Sequence, residues 1–158
     1  MHQNEHAASQ RIIVGFDGSP SAERTLQWAT AQAGRCDGEV EVIAVRERDD
    51  LLPGTSYTFQ PHGRRAVRDE AGVRDYLHES VIAAVGEAPV TESVVTGDPA
   101  IELIKASAEA DLLVVGAHRR GALSEILLGS TSAECIRHAR CPVVVIPAGL
   151  DDSDGFDG

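Results

Sequence analysis

The residues best suited to chemistry lie between Gly116 and Ser132. An apolar run, Leu112-Leu113-Val114-Val115, breaks at Gly116, and a loop with His118, Arg119, Arg120 and Gly121 follows. Gly129-Ser130-Thr131-Ser132 then stands directly ahead of Ala133-Glu134-Cys135-Ile136, which reads as helix. A buried strand, a glycine-containing loop and a helix start with free N–H groups are the parts of a phosphate cradle, because backbone donors converge where the helix dipole is positive. Ser130 serves there either as an N-cap or as a phosphate ligand. His118 either reaches a ribose or phosphate, or is solvated. The guanidinium of Arg119 either binds phosphate bidentately or crowds the space above it. If its position demands a left-handed backbone, a side chain there costs about 1–2 kcal/mol.

A second candidate is Asp17, at the end of the apolar run Arg11 to Phe16. Its carboxylate can accept from a ribose hydroxyl or an adenine amino group, or it can satisfy turn amides. Gly15 either lets a ligand approach the backbone or serves packing. Cys135, His138 and Cys141 are spaced by three, with Cys135 and His138 expected on one helix face. Zinc needs ligands that converge, usually four, and no fourth is evident, so the expectation is buried apolar cysteine and no metal. Cys36 reads as a loop residue. Neither a Gly-x-Ser-x-Gly elbow, nor a Walker A lysine, nor HExxH occurs, and spacing places no base to aim at water. No catalytic residue is expected.

The elements that must position these residues follow from periodicity. Strands are expected at Arg11–Phe16, Glu39–Val45, Pro89–Thr96, Asp111–Val115 and Cys141–Pro147. The first helix starts with Ser19 as N-cap and Pro20 at its first position, buries Ala22, Leu26, Ala29 and Ala33, and stops at Gly34. A second runs from Val67 to Val85, with Val73, Leu77, Val81, Ala84 and Val85 on one side. A third, with Asp98 as N-cap and Pro99 next, runs to about Glu109 and turns Ile101, Ile104 and Ala108 inward. The fourth is Ser130–His138. Between Arg46 and Arg65 no period holds, and a loop of this length is uncommon in a compact domain. Alternating strands and helices, with most strands too apolar to face water, imply an α/β fold: an open parallel sheet of five strands with helices on both faces. The flavodoxin-like order is one of few that right-handed crossovers permit, with a ligand crevice at the carboxyl ends of strands 1 and 4.

At 158 residues one domain is expected, over residues 11–148, with a disordered segment 1–10 and a disordered acidic tail 149–158. The net charge of −11 argues against nucleic acid or a membrane surface as partner. Neither a secretion signal nor an apolar run near the roughly 18 residues of a membrane span is present. Three cysteines without framework spacing suit a reducing cytoplasm.

The 116–130 stretch resembles the nucleotide loop of the universal stress protein family, whose ATP-binding members carry Gly-x2-Gly-x9-Gly-Ser/Thr. Gly116 fits the first position, and Gly129 with Ser130 fits the last; Arg119 occupies the slot of the second glycine. The resemblance extends from about Arg11 to Pro147. It implies a fold like the adenine-nucleotide alpha hydrolases, with strand order 3-2-1-4-5. It also implies that Asp17 contacts the nucleoside and that the backbone of Val45, by itself a core valine, reads the adenine edge. ATP or AMP would then sit between strands 1 and 4, with Mg²⁺ on the phosphates, in a stress-response module with slow hydrolysis at most. The alternative is a nucleotide-independent dimeric scaffold of the same family, which Arg119 favours. An unidentified protein partner is expected in either case. The apolar last strand, Val143-Val144-Val145-Ile146, would be a sheet edge, and pairing with its copy across a two-fold axis would cover it.

Overall fold

The computed structural model describes residues 9–19, 21–47, 69–119 and 126–147. Pro20, Arg120, the expected 46–65 loop from 48 onward and most of both termini lie outside the described residues, and the second helix, expected from Val67, is described from Glu70 with Asp69 as its N-cap. In chain order the elements are β1 (Arg11–Phe16), α1 (Ser21–Cys36), β2 (Glu39–Arg46), α2 (Glu70–Val85), β3 (Val90–Thr96) and α3 (Pro99–Ser107). Then follow β4 (Leu112–Gly116), β5 (His118–Arg119), β6 (Ile126–Leu127), α4 (Ser130–His138) and β7 (Val143–Ile146). β3, β2, β1, β4 and β7 form one parallel sheet in that order, which is the expected 3-2-1-4-5 arrangement.

Two apolar layers explain why the central strands are continuous runs of valine, leucine and isoleucine. Ile12, Val14, Val42 and Val114 pack with Leu26 and Ala29 of α1 and Val73 and Leu77 of α2 on one face. Ile13, Ile43, Leu113 and Val115 pack with Leu103 of α3 and Cys135 of α4 on the other. Burying each large apolar side chain contributes about 1.5–3 kcal/mol, so both faces must be covered. Among the described residues no helix is long and apolar enough to cross a membrane.

Some local expectations give way to packing. All four expected stripe residues of α1 are buried, but Gly34 does not end the helix. It continues to Cys36, which is therefore helical, and Asp37 at φ 53° makes the turn. A glycine inside a helix costs about 1 kcal/mol, less than the docked stripe returns, and aspartate tolerates the left-handed region. In α3 the buried residues are Leu103 and Ser107, whereas Ile101 is 53% exposed and Ala108 lies beyond the helix on the surface. The cause is Gly15: a Cβ there would stand 2.8 Å from Leu103 Cδ1, so the missing side chain admits Leu103 instead. Ser107 ends α3, donating to the Ile104 carbonyl at 2.6 Å and accepting from the Arg140 amide at 2.9 Å. The 116–130 stretch, expected as loop alone, contains a small antiparallel ribbon pairing His118 with Leu127 and Arg119 with Ile126.

The cap at α3 is as expected. Asp98 accepts from the Ile101 amide at 3.1 Å, with Pro99 at the first position. Asp98→Ala should lower stability by about 1 kcal/mol. Urea titration of both proteins checks this, with the midpoint moving and the slope unchanged.

Candidate functional site

The sheet is closed at one end and open at the other between β1 and β4. At the amino end the Arg11 amide donates to the Asp111 carboxylate at 2.8 Å, and the Asp111 amide donates back to the Arg11 carbonyl at 2.9 Å. Pairing runs from Ile12–Leu112 to Val14–Val114 and no further. Yet β1 stays paired to β2 through Phe16–Ala44, and β4 to β7 through Gly116–Ile146. Beyond Val14 and Val114 the two strands therefore part. This is the switch point, where crossovers on either side leave by opposite faces and a crevice opens at the carboxyl ends.

The turn after β1 forms one wall. Asp17 is exposed, and its Oδ1 accepts from the Ser19 amide at 2.9 Å, an Asx turn. At the start of α1 the Ser19 carbonyl accepts from the Ala22 amide at 3.0 Å, and its hydroxyl lies 2.9 Å from that of Ser21. Gly18, at φ 75°, supplies the left-handed step, and its carbonyl accepts from Tyr76 Oη at 3.4 Å. Val45 is 7% exposed in the α3 layer. Arg46 gives its carbonyl to the Gly97 amide on the β3 side. Successive peptide groups of a strand face opposite neighbours, so those of Val45 face β1, whose register with β2 ends at Phe16.

The opposite wall is the end of β4 with the first turn of α4. Gly129 is the N-cap of α4 and offers no side-chain hydrogen bond, so Ser130 is the first helical residue and not the cap. No acidic residue occupies that first turn, while Asp69 and Asp98 cap α2 and α3. The amides of Ser130, Thr131 and Ser132 thus meet the crevice with the positive end of the dipole behind them. Ser132 is buried, and its hydroxyl donates to the Gly116 carbonyl at 3.0 Å. A Cβ on Gly116 would stand 2.8 Å from Ser21 Oγ and 3.3 Å from Thr25 Oγ1. Both glycines before the crevice are therefore packing glycines: Gly15 admits α3, and Gly116 admits α1.

The structure gathers Gly116, Ser130, Thr131, Ser132 and Gly129 at one wall and Asp17 at the other. The backbones of His118 and Arg119 follow Gly116 and Ala117; their side chains lie outside the described residues. Arg119 pairs with Ile126 as a strand residue, so the conformation that would penalise a side chain does not arise. Ser19, Ser21 and Thr25 were not among the expected site residues. The hydroxyls closing the run Asp17-Gly18-Ser19-Pro20-Ser21 were the available signal. Cys135 and His138 lie on one side of α4, as expected, but differ in burial. Cys135 is fully buried, which pushes its thiol up to about 11, while His138 is exposed beside Glu134 at 3.5 Å. Three residues turn a helix by 300°, which leaves the two side chains 60° apart, so they differ in depth and not in face. Among the described residues no three metal-ligating side chains converge.

Comparison with known proteins adds to this geometry. The family model described as "Universal stress protein family" matches residues 8–147. Universal stress protein Rv2005c of Mycobacterium tuberculosis is 38% identical over 141 residues, covering 85% of this chain and 44% of its own length. Universal stress protein Rv2623 of the same organism is 32% identical over 146 residues, covering 88% and 48%. The chain thus spans about half the length of the curated relatives it matches. Among solved structures, a universal stress protein in complex with cAMP superposes with a TM-score of 0.60 at 28% identity, covering 89% of this chain and 98% of that one. The universal stress protein from Archaeoglobus fulgidus in complex with dAMP gives 0.61 at 25%, covering 87% and 97%.

The tight contact at Gly116 is open to test. Gly116→Ala should cost about 1–3 kcal/mol by overpacking against Ser21. Ser21→Ala in the same chain should restore most of that loss. Denaturant titration of the two single variants and the double reads the coupling, and simple additivity would contradict the contact.

Proposed function

The chain belongs to the universal stress protein family, and from that membership we propose a stress-response module that binds an adenine nucleotide, ATP or AMP, between the carboxyl ends of β1 and β4. The observation that carries the proposal is the parting of these strands beside a helix start that lacks a side-chain cap. That combination supplies a cleft for a nucleoside and amide donors for phosphate. The relatives solved with cAMP and dAMP support an adenine ligand. In this reading the amides of Ser130, Thr131 and Ser132 hold the phosphates, with His118 and Arg119 following on the same rim. Asp17 meets the nucleoside, and the Val45 backbone meets the adenine edge. Mg²⁺ on the phosphates would supply further charge neutralisation.

The module is a binder, with slow ATP hydrolysis at most. Its sequence offers no base spaced to activate water, and the roles above are all in recognition. A reducing cytoplasm suits its three free cysteines. Binding at the 116–130 stretch would alter a surface offered to a protein partner. A second reading is a nucleotide-independent scaffold, and Arg119 in the slot of the motif's second glycine favours it.

Thermal melting separates the two. ATP at about 100 times its dissociation constant should stabilise by roughly 2.7 kcal/mol. Protein purified without added nucleotide, then denatured, should also release an adenine nucleotide. No shift at millimolar ATP would leave the scaffold.

We also propose a homodimer. β7 is an edge of the sheet, and Val143, Val144 and Val145 are only half-buried there. Antiparallel pairing of two β7 strands would satisfy that edge. Light scattering at micromolar protein should give twice the chain mass, and Val144→Glu should halve it. A wild-type monomer mass would overturn the dimer.

A further inference from the structure

Ser132 belongs to the loop that the proposed function assigns to phosphate, but its geometry gives it a different task. A serine hydroxyl has one proton to donate. Here that proton goes to the Gly116 carbonyl at 3.0 Å, and the side chain is 6% exposed. Toward an anion it then presents only lone pairs. The carbonyl it meets is not an ordinary sheet carbonyl. The next amide along, that of Ala117, donates to the Ile146 carbonyl on the β7 side. Alternation along a strand turns the peptide groups of Gly116 the other way, toward β1. There β1 offers no partner, because the β1–β4 register ended two residues earlier, at Val14–Val114. An acceptor oxygen is thus aimed into the crevice beside the α4 amides. Left bare, it would repel a phosphate held there and would lack a partner of its own.

We infer that Ser132 is a positioning residue for phosphate. Its hydroxyl occupies the crevice-facing carbonyl of Gly116 and pins the first turn of α4 to the end of β4. The inference rests on the nucleotide-binding reading of this site. Its distinguishing mark is dependence on ligand charge: a merely structural serine would affect adenosine, AMP and ATP alike.

The experiment is calorimetric titration of adenosine, AMP and ATP into the wild-type chain, Ser132→Ala and Ser132→Thr, with melting of each free protein as a folding control. Ser132→Ala removes volume from a well-packed site, so it should fold. Its affinity for ATP should fall about ten-fold, because the bared carbonyl opposes the phosphate charge, with a smaller loss for AMP. Adenosine should change by less than about two-fold, since it carries no charge for the exposed carbonyl to repel. Ser132→Thr keeps the hydroxyl and should preserve the wild-type pattern. Losses equal for all three ligands, or unchanged ATP binding by Ser132→Ala, would overturn the inference and leave the nucleotide reading standing. No binding of any of the three by the wild-type chain would overturn both.

Discussion

The parting of β1 from β4 after Val14 and Val114 is the constraint from which the rest of the molecule follows. It arises from connectivity. β1 leads into α1 and so to β2 on one side, while the return from β3 passes through α3 on the opposite face to reach β4. With right-handed crossovers throughout, the two connections diverge where the strands end. The amino end has no such divergence, which is why Arg11 and Asp111 can bind each other there through two hydrogen bonds. One end of the strand pair is tied, and the other is free to receive something else.

The glycines beside this opening owe their identity to neighbours and not to turns. Gly15 and Gly116 lie at or next to the ends of adjacent strands, each where a helix presses close: Leu103 of α3 on the first, Ser21 and Thr25 of α1 on the second. Absence of a side chain lets both helices approach the crevice walls. The helices then hold those walls at a fixed separation, since interiors pack too densely to deform gradually. Hydroxyls complete the frame. Ser19 and Ser21 pair through their hydroxyls, Thr25 donates to the Ser21 carbonyl, and Ser132 donates to the Gly116 carbonyl on the β4 side.

How much of this was legible in the sequence depended on the distance over which its cause acts. The five strands and the order 3-2-1-4-5 were recoverable, the strands from apolar runs and the order from the family resemblance. Asp98-Pro99 announced α3, because a cap acts within three residues. The face that α3 buries was only partly legible. Of its isoleucines Ile104 does pack on the core, but Ile101 is exposed, and a glycine 88 positions away, at Gly15, admits Leu103 as the buried residue. The end of α1 was misplaced for a similar reason, since tertiary packing carried the helix past Gly34 to Asp37. At the site, the positions of Gly116 and Gly129 to Ser132 were readable as a motif. The direction of the Ser132 hydroxyl was not, because it depends on where a strand register stops.

The proposed phosphate seat lies in a chain with net charge −11, and the two are compatible because they act over different lengths. Exposed carboxylates are screened over about 8 Å at physiological ionic strength. Amides at a helix start act at hydrogen-bond distance, with little water between, where each interaction is much stronger. The long-range field therefore discourages an extended polyanion, which must lie against the whole acidic surface. It does little to a small anion already inside a cleft. Local placement then decides binding: acids cap α2 and α3, and none stands in the first turn of α4. A carboxylate introduced there would compete for the same amides, so overall acidity and a phosphate seat can coexist only while that single turn stays free of one.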